Sequence, residues 1–255
     1  MEDEIFQVRI LNQNLFLILT IFSLFGCAHL ECPEGTNLDK SEPNIEACMD
    51  SQGRKHGPWI YKHTNGSKGL EGQYDQGARS GVWRGWHANG KPKSQGEYRA
   101  GKTDGTWTHW ANDGQITIQC DYKWGNLHGI YRERFEDGGL KQESQYSEGL
   151  KQGLHKEWYP DGTLALEGSY HKGLLQGPSS TYFPNGQKET EVWFEKEQLH
   201  GKASSWYENG KLKSRLSYEY GKLNGPVELW SPDGKKQCET YEKDKRVHQG
   251  CTPTS

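Results

Sequence analysis

Beyond residue 30 the chain has no aliphatic run of the kind that builds an ordinary buried strand; its large apolar side chains return at fixed intervals instead. Gly57, Gly81, Gly105, Gly129, Gly153, Gly177, Gly201 and Gly225 stand in steps of 24 residues. A second set, Gly66, Gly90, Gly114, Gly138, Gly162, Gly186, Gly210 and Gly234, is preceded each time by Asn or Asp. Tyr74, Tyr98, Tyr122, Tyr146, Tyr170, Phe194 and Tyr218 hold a third register, and Gly77, Gly101, Gly125, Gly149, Gly173 and Gly221 a fourth. Asn-Gly and Asp-Gly supply the positive φ angles that tight hairpin turns demand. Each unit therefore reads as a β-hairpin: an aromatic-rich strand, the turn, a return strand ending at the Tyr, and a glycine-bearing turn into the next unit. The predicted fold class is all-β, an elongated antiparallel repeat sheet of eight 24-residue β-hairpins. A lone hairpin is marginal in water, but eight in series bury each unit against its neighbours. At ~4.8 Å per strand, sixteen strands would run roughly 75 Å.

Parity along the first strand says where the rings point. Two residues after the opening glycine stand Trp59, Trp83, Trp107 and Tyr131, then His155, Ser179, Ala203 and Val227. Six residues after it, bulk appears late, as Phe135, Tyr159, Phe183 and Tyr207. Both positions have one parity and share a face of a regular strand. Position five, with Trp86, Trp110, Trp158, Tyr182, Trp206 and Trp230, falls on the opposite face unless a bulge intervenes. Lys62 and Arg134 are its exceptions. These six rings form the candidate binding surface.

Composition agrees with the pattern. Gly makes up 32 of 255 residues, and all 10 Trp and 13 Tyr lie between Trp59 and Tyr241, so the core must be built from aromatic faces. Such rings in register form cross-strand ladders in place of an aliphatic core. The formal charge of −3 falls to about −1 without residues 1–26, which remove Glu2, Asp3, Glu4 and Arg9. A near-neutral chain is not a nucleic-acid binder by bulk electrostatics.

The one long apolar stretch, Leu15 to Cys27, is too short to span a bilayer and has the length of a signal-peptide core. Its end, "LFGC", resembles the lipobox of bacterial lipoproteins, with Cys27 as the residue that would be lipidated and become the mature N-terminus. Ala28 in the following position points to the outer membrane. The division expected is 1–26 signal peptide, 27–56 disulfide-stapled leader, 57–248 eight repeats and 249–255 tail. In an oxidising compartment, Cys32 would pair with Cys48 and Cys238 with Cys251, each loop contributing ~3 kcal/mol by chain entropy. Cys120 is left over; its equivalents Gly72, Gly96, Ser144 and Gly168 mark it as a small residue at a crowded place.

Ten histidines are the first candidates for catalysis or metal binding. His56, His128 and His200 precede opening glycines at a site elsewhere filled by Ser80, Asp104, Gln152, Gln176 and Asn224, a turn position that wants a polar side chain. Glu133 and Glu157 share one repeat position, as solvated carboxylates of neighbouring units do. No nucleophile elbow, P-loop, HExxH or zinc spacing is present, so no catalytic residue, metal or cofactor is expected.

The register of "GEYRAGKTDGTWTHWANDG" resembles the MORN repeat, specifically the longer bacterial variant often labelled antitoxin-like, from Gly57 to about His248. The Cys-bearing segment before it resembles the leader of predicted lipoproteins that carry such arrays. The resemblance implies an elongated single-layer sheet of hairpins and roles in scaffolding or protein contact, with lipid binding among eukaryotic relatives. Unit eight departs from the pattern, with Glu242 for the Tyr and Lys245 for the Gly, as expected of a terminal cap. The function expected is a lipid-anchored scaffold of the bacterial cell envelope that binds another protein without catalysis. Two alternatives stand beside it: a module that stacks its periodic rings on an envelope glycan such as peptidoglycan, and an antitoxin-like partner protein.

Overall fold

The computed structural model describes residues 30–250. Cys27, Cys251 and the expected signal peptide lie outside the described residues. Among the described residues, 21 strands form one open antiparallel sheet in hairpin order, with no helix. Unit one pairs Lys55–Lys62 with Lys68–Asp75, unit two Ala78–Trp86 with Pro92–Arg99, and the arrangement repeats along the chain.

The leader adds a further hairpin to the sheet, Thr36–Asp39 with Ile45–Asp50. Its second strand lies against unit one with Ala47 opposite Trp59. The Cys32–Cys48 bridge holds it, with a Cα–Cα separation of 5.5 Å. Cys238 is also disulfide-bonded.

The two kinds of turn divide the work differently from the sequence expectation. At the Asn-Gly and Asp-Gly sites only the glycine has positive φ, as at Gly66 (+81°). His63 N–H reaches Ser67 O and Gly66 N–H reaches His63 O, a type I turn closed by a glycine bulge. The turns with two successive positive-φ residues are the connections between units, Gln76-Gly77, Ala100-Gly101, Trp124-Gly125 and their successors. The left-handed first residue there is a Gln, an Ala or even a Trp. These turns are held from outside: Gly77 N–H donates to Lys55 O, Gly101 to Arg79 O and Gly125 to Thr103 O, each in the preceding unit.

The opening glycine has a separate task. Between units one and two, Gln73 pairs with Ser80 and Glu71 with Arg84, so the incoming strand carries extra residues at a bulge. Gly81, at φ +65°, sits in that bulge. A second bulge lies on the return strand, where Gly85 pairs with Ser94 but Trp86 with Pro92. The outgoing strand stays regular from position two to position five, so Trp83 and Trp86 do face opposite sides.

Unit eight is corrected in one detail. Gly225 pairs with Tyr241, not with residue 242, because Lys236–Glu242 runs straight through without the bulge. Tyr241 takes the Tyr register one residue early, and Lys243-Asp244 form the turn, both with positive φ.

The core lies on the face of position two. Ala47, Trp59, Trp83, Trp107 and Cys120 form its buried cluster, with Tyr74, Tyr98, Tyr122 and Tyr131 packed against them. Ring centroids follow one another at 5.2 Å (Tyr74–Trp83), 5.8 Å (Trp83–Tyr98) and 5.1 Å (Tyr98–Trp107), all edge to face. Trp83 and Trp107 lie on the glycines of the preceding return strand, where a Cβ on Gly72 or Gly96 would come within 2.2 and 2.1 Å of the indole. Each indole N–H also donates to the next carbonyl, Gln73 O and Glu97 O, at 3.2 Å. Later units exchange bulk across the pair: as the outgoing residue shrinks to Ser179 and Ala203, its partner grows to Val192 and Leu216.

Candidate binding surface

The face opposite the aromatic core carries three rows, set by the same parity. Nearest the connections between units is position one: Pro58, Val82, Thr106, Ile130, Leu154, Pro178, Lys202 and Pro226. In the middle runs a polar ladder at position three, Arg84 against Glu71, Arg132 against Glu143 and Glu228 against Arg215. Several rungs are ion pairs, among them Arg132–Glu143 at 2.7 Å and Arg215–Glu228 at 3.2 Å. Lys236 holds the Glu228 carboxyl below the usual carboxylate range by a 2.6 Å hydrogen bond. Nearest the Asn-Gly and Asp-Gly turns is position five.

The six rings predicted as the binding surface, Trp86, Trp110, Trp158, Tyr182, Trp206 and Trp230, occupy this third row, one per hairpin. All six are half-buried. Cations cover several of them: Lys68 lies 5.4 Å over Trp86, Lys188 6.0 Å over Trp206, and Arg215 and Lys236 5.8 and 5.1 Å from Trp230. Tyr182 instead donates its hydroxyl to Glu167 at 2.8 Å. Among the exposed large apolar groups are Val82, Leu154 (43% exposed) and Trp193 (50%), in and beside the position-one row. Sequence reading missed that row because its members alternate between aliphatic, Pro and Thr, with no shared aromatic signature.

The position before each opening glycine behaves as a turn residue. His56 Nδ1, Asp104 Oδ1 and Gln152 Oε1 accept from the first left-handed residue of the following connection, Gln76, Trp124 and Lys172 N–H, at 3.3, 3.3 and 3.0 Å. Position six bridges units at the other edge: the Tyr159 and Tyr207 hydroxyls donate to Tyr182 O and Trp230 O, each at 2.8 Å. His63 Nε2 and His87 Nε2 contact Trp86 O and Trp110 O in the same way.

One constellation has no counterpart in the repeat pattern. His155 occupies the position that Trp holds in units one to three, and it stands between Ser144 Oγ at 2.7 Å and Glu157 Oε1 at 2.9 Å. With Nε2 protonated, the Ser144 hydroxyl donates to Nδ1 and the ring donates to the carboxylate. The order Ser, His, Glu has the form of a nucleophile relay. Ser144 is only 1% exposed, however, so a substrate has no approach to its oxygen in this conformation. The chain satisfies a buried polar pair where the tryptophans end. Glu133 and Glu157 flank Gln142 on either side, and Glu133 is taken up by Lys141 at 2.6 Å. Cys120 is buried, and burial pushes its thiol pKa up. Among the described residues no three His, Cys, Asp or Glu side chains gather as a metal site.

Four segments, residues 79–100, 127–148, 151–172 and 199–220, match the family model described as the MORN repeat variant. They fall in units two, four, five and seven, one hairpin each. No curated protein matches the chain. Among solved structures, the chain is similar to a mutant of TarM from S. aureus in complex with fondaparinux, alpha-GlcNAc-glycerol and UDP, at 15% identity and a TM-score of 0.22. That likeness covers 47% of this chain and 21% of the other, and carries no argument about fold or function. The 24-residue spacing, the open hairpin sheet and the four matched segments together show that the chain carries repeats of the MORN variant.

Proposed function

We propose that the protein is a scaffold of the bacterial cell envelope, anchored through lipid on Cys27, that holds another protein against the face opposite its aromatic core and performs no catalysis. MORN repeats are in general protein- or membrane-binding modules, and the observation that supports the protein reading is the layout of that face. An ion-paired ladder runs between an open apolar row and a row of half-buried rings. Apolar patches framed by charge suit protein contact, the apolar part giving affinity and the charges register. Sugar stacking needs bare ring faces, and the cations over Trp86, Trp206 and Trp230 occupy theirs.

The test has two arms. Cells expressing wild type and Cys27→Ser are labelled with an acyl-chain analogue; label on wild type alone supports the anchor, and label on neither overturns it. Detergent-solubilised wild type is then captured from envelope fractions. One stoichiometric protein partner supports the scaffold reading, whereas retention on purified peptidoglycan without such a partner replaces it.

A further inference from the structure

The chain already places a segment of its own, residues 30–33, at the start of the position-one row. Leu30, with Pro58, Ile60, Val82 and Arg84, lines a cleft of about 270 Å³ between units one and two. Three residues on, Pro33 lies against the opening glycine of unit one, so close that a Cβ on Gly57 would meet its ring at 2.7 Å. Residues 30–33 adopt neither strand nor turn. From Leu30 to Pro33 the segment runs from the cleft between units one and two to the opening glycine of unit one.

The dimensions make this course repeatable. A polyproline II segment advances ~3.1 Å per residue, so every third side chain recurs after ~9.3 Å. Successive hairpins place position one every two strands, ~9.6 Å apart. A segment in that conformation keeps step with the row over several units.

Successive apolar members of the row stand in units four to six. Thr106 in unit three is tied to Asp121 at 2.7 Å and breaks the apolar run. Ile130, Leu154 and Pro178 then follow one another, Pro178 paired across the strands with the half-exposed Trp193. Beside that pair opens a groove of about 570 Å³, also lined by Val192 and His200. An indole next to a proline ring is an apolar seat for another proline, and a chain already held near φ −65° loses little entropy on binding there.

We propose that the row Ile130, Leu154, Pro178 with Trp193 is a docking site for an extended, proline-rich segment of a partner protein, carrying an apolar residue at every third position and lying across the strands. This rests on the protein-binding reading above and gives it a surface and a class of partner.

The probe is a peptide of four Leu-Pro-Pro triplets, titrated into the full chain and followed by calorimetry and tryptophan fluorescence. A control peptide carries Gly after each triplet, which breaks the three-residue period. The first is expected to bind at least ~10-fold more tightly than the second, a difference of ~1.4 kcal/mol. Leu154→Asp and Trp193→Ala each weaken binding by a similar factor. Leu154 and Trp193 are surface groups, and a far-ultraviolet spectrum matching wild type shows that each variant is folded. Equal binding of both peptides, no binding of either, or insensitivity to Leu154→Asp and Trp193→Ala overturns the proposal. So does self-association of the wild type that Leu154→Asp abolishes, because a second copy then owns the row. If the envelope partner is captured equally by wild type and Leu154→Asp, this site fails while the protein-binding reading stands. If neither captures a partner, the reading itself fails.

Discussion

The indole of Trp83 lies on the α-carbon of Gly72, so close that a Cβ there would sit 2.2 Å from Trp83 Cδ2, while Nε1 donates to Gln73 O. Gly72→Ala is therefore expected to destabilise the sheet by about 1–3 kcal/mol, because neither the backbone nor a buried ring can retreat. Gly168→Ala, whose Cβ would meet Leu175 Cδ1 at 3.2 Å and Ser179 Oγ at 3.3 Å, costs less, since flexible side-chain ends can move. Urea unfolding of the two variants ranks them; equal losses would contradict the ring-on-glycine account.

The Ser144–His155 pair is the same relationship with both partners exchanged. His155→Trp alone brings an indole against a serine side chain and breaks the 2.7 Å hydrogen bond. Ser144→Gly alone leaves a void. The double variant recreates Gly72 under Trp83, so its stability is expected to exceed the sum of the single effects by about 0.5–3 kcal/mol. A double-mutant cycle measured in urea gives the coupling, and additivity would refute the equivalence.

At the turn edge, Asn89 accepts from Lys91 N–H through Oδ1 and donates from Nδ2 to Asn112 O in the next turn at 2.9 Å. Asn89→Asp keeps the first bond and loses the second, placing a carboxylate oxygen near a carbonyl. The expected cost is about 0.5–1.5 kcal/mol, with faster amide exchange around the turns at Asn89 and Asn112. Asp113→Asn, where the native residue cannot donate, is expected to be neutral or stabilising.

Burial, and next the neighbouring Cys120, pushes the Tyr122 phenol pKa up to about 12. Burial, and next the Glu133 carboxylate, does the same for Tyr131, also to about 12. Both values stand above the ~10 of an unfolded chain. The folded state therefore favours the neutral phenols. That contribution is complete below pH ~10 and is lost as pH rises toward the folded value of about 12. Urea midpoints measured from pH ~9 to ~11.5 should fall, and the Tyr122→Phe, Tyr131→Phe double variant should fall less steeply. Cys120, buried beside them, should resist alkylation until the same transition.

The hairpin period, the parity that separates Trp83 from Trp86, and the crowded place of Cys120 are legible along the chain, because local φ requirements, a two-residue alternation and the small residues at equivalent repeat positions express them. Trp86, Trp110, Trp158, Tyr182, Trp206 and Trp230 were legible as a row for the same reason. That lysines and an arginine lie over Trp86, Trp206 and Trp230 was not, since it depends on how neighbouring hairpins pair. Tertiary structure alone decided which turn carries two left-handed residues: Trp124 adopts φ +54° because Gly125 N–H is pinned by Thr103 in the preceding unit. It also decided that Tyr241 replaces residue 242 in register, that His155 links Ser144 to Glu157, and that Leu30 and Val82 line one cleft. Each of these joins residues from different strands or segments, and a repeat pattern read along one chain fixes periodicity but not the shape that side chains present to the unit beside them.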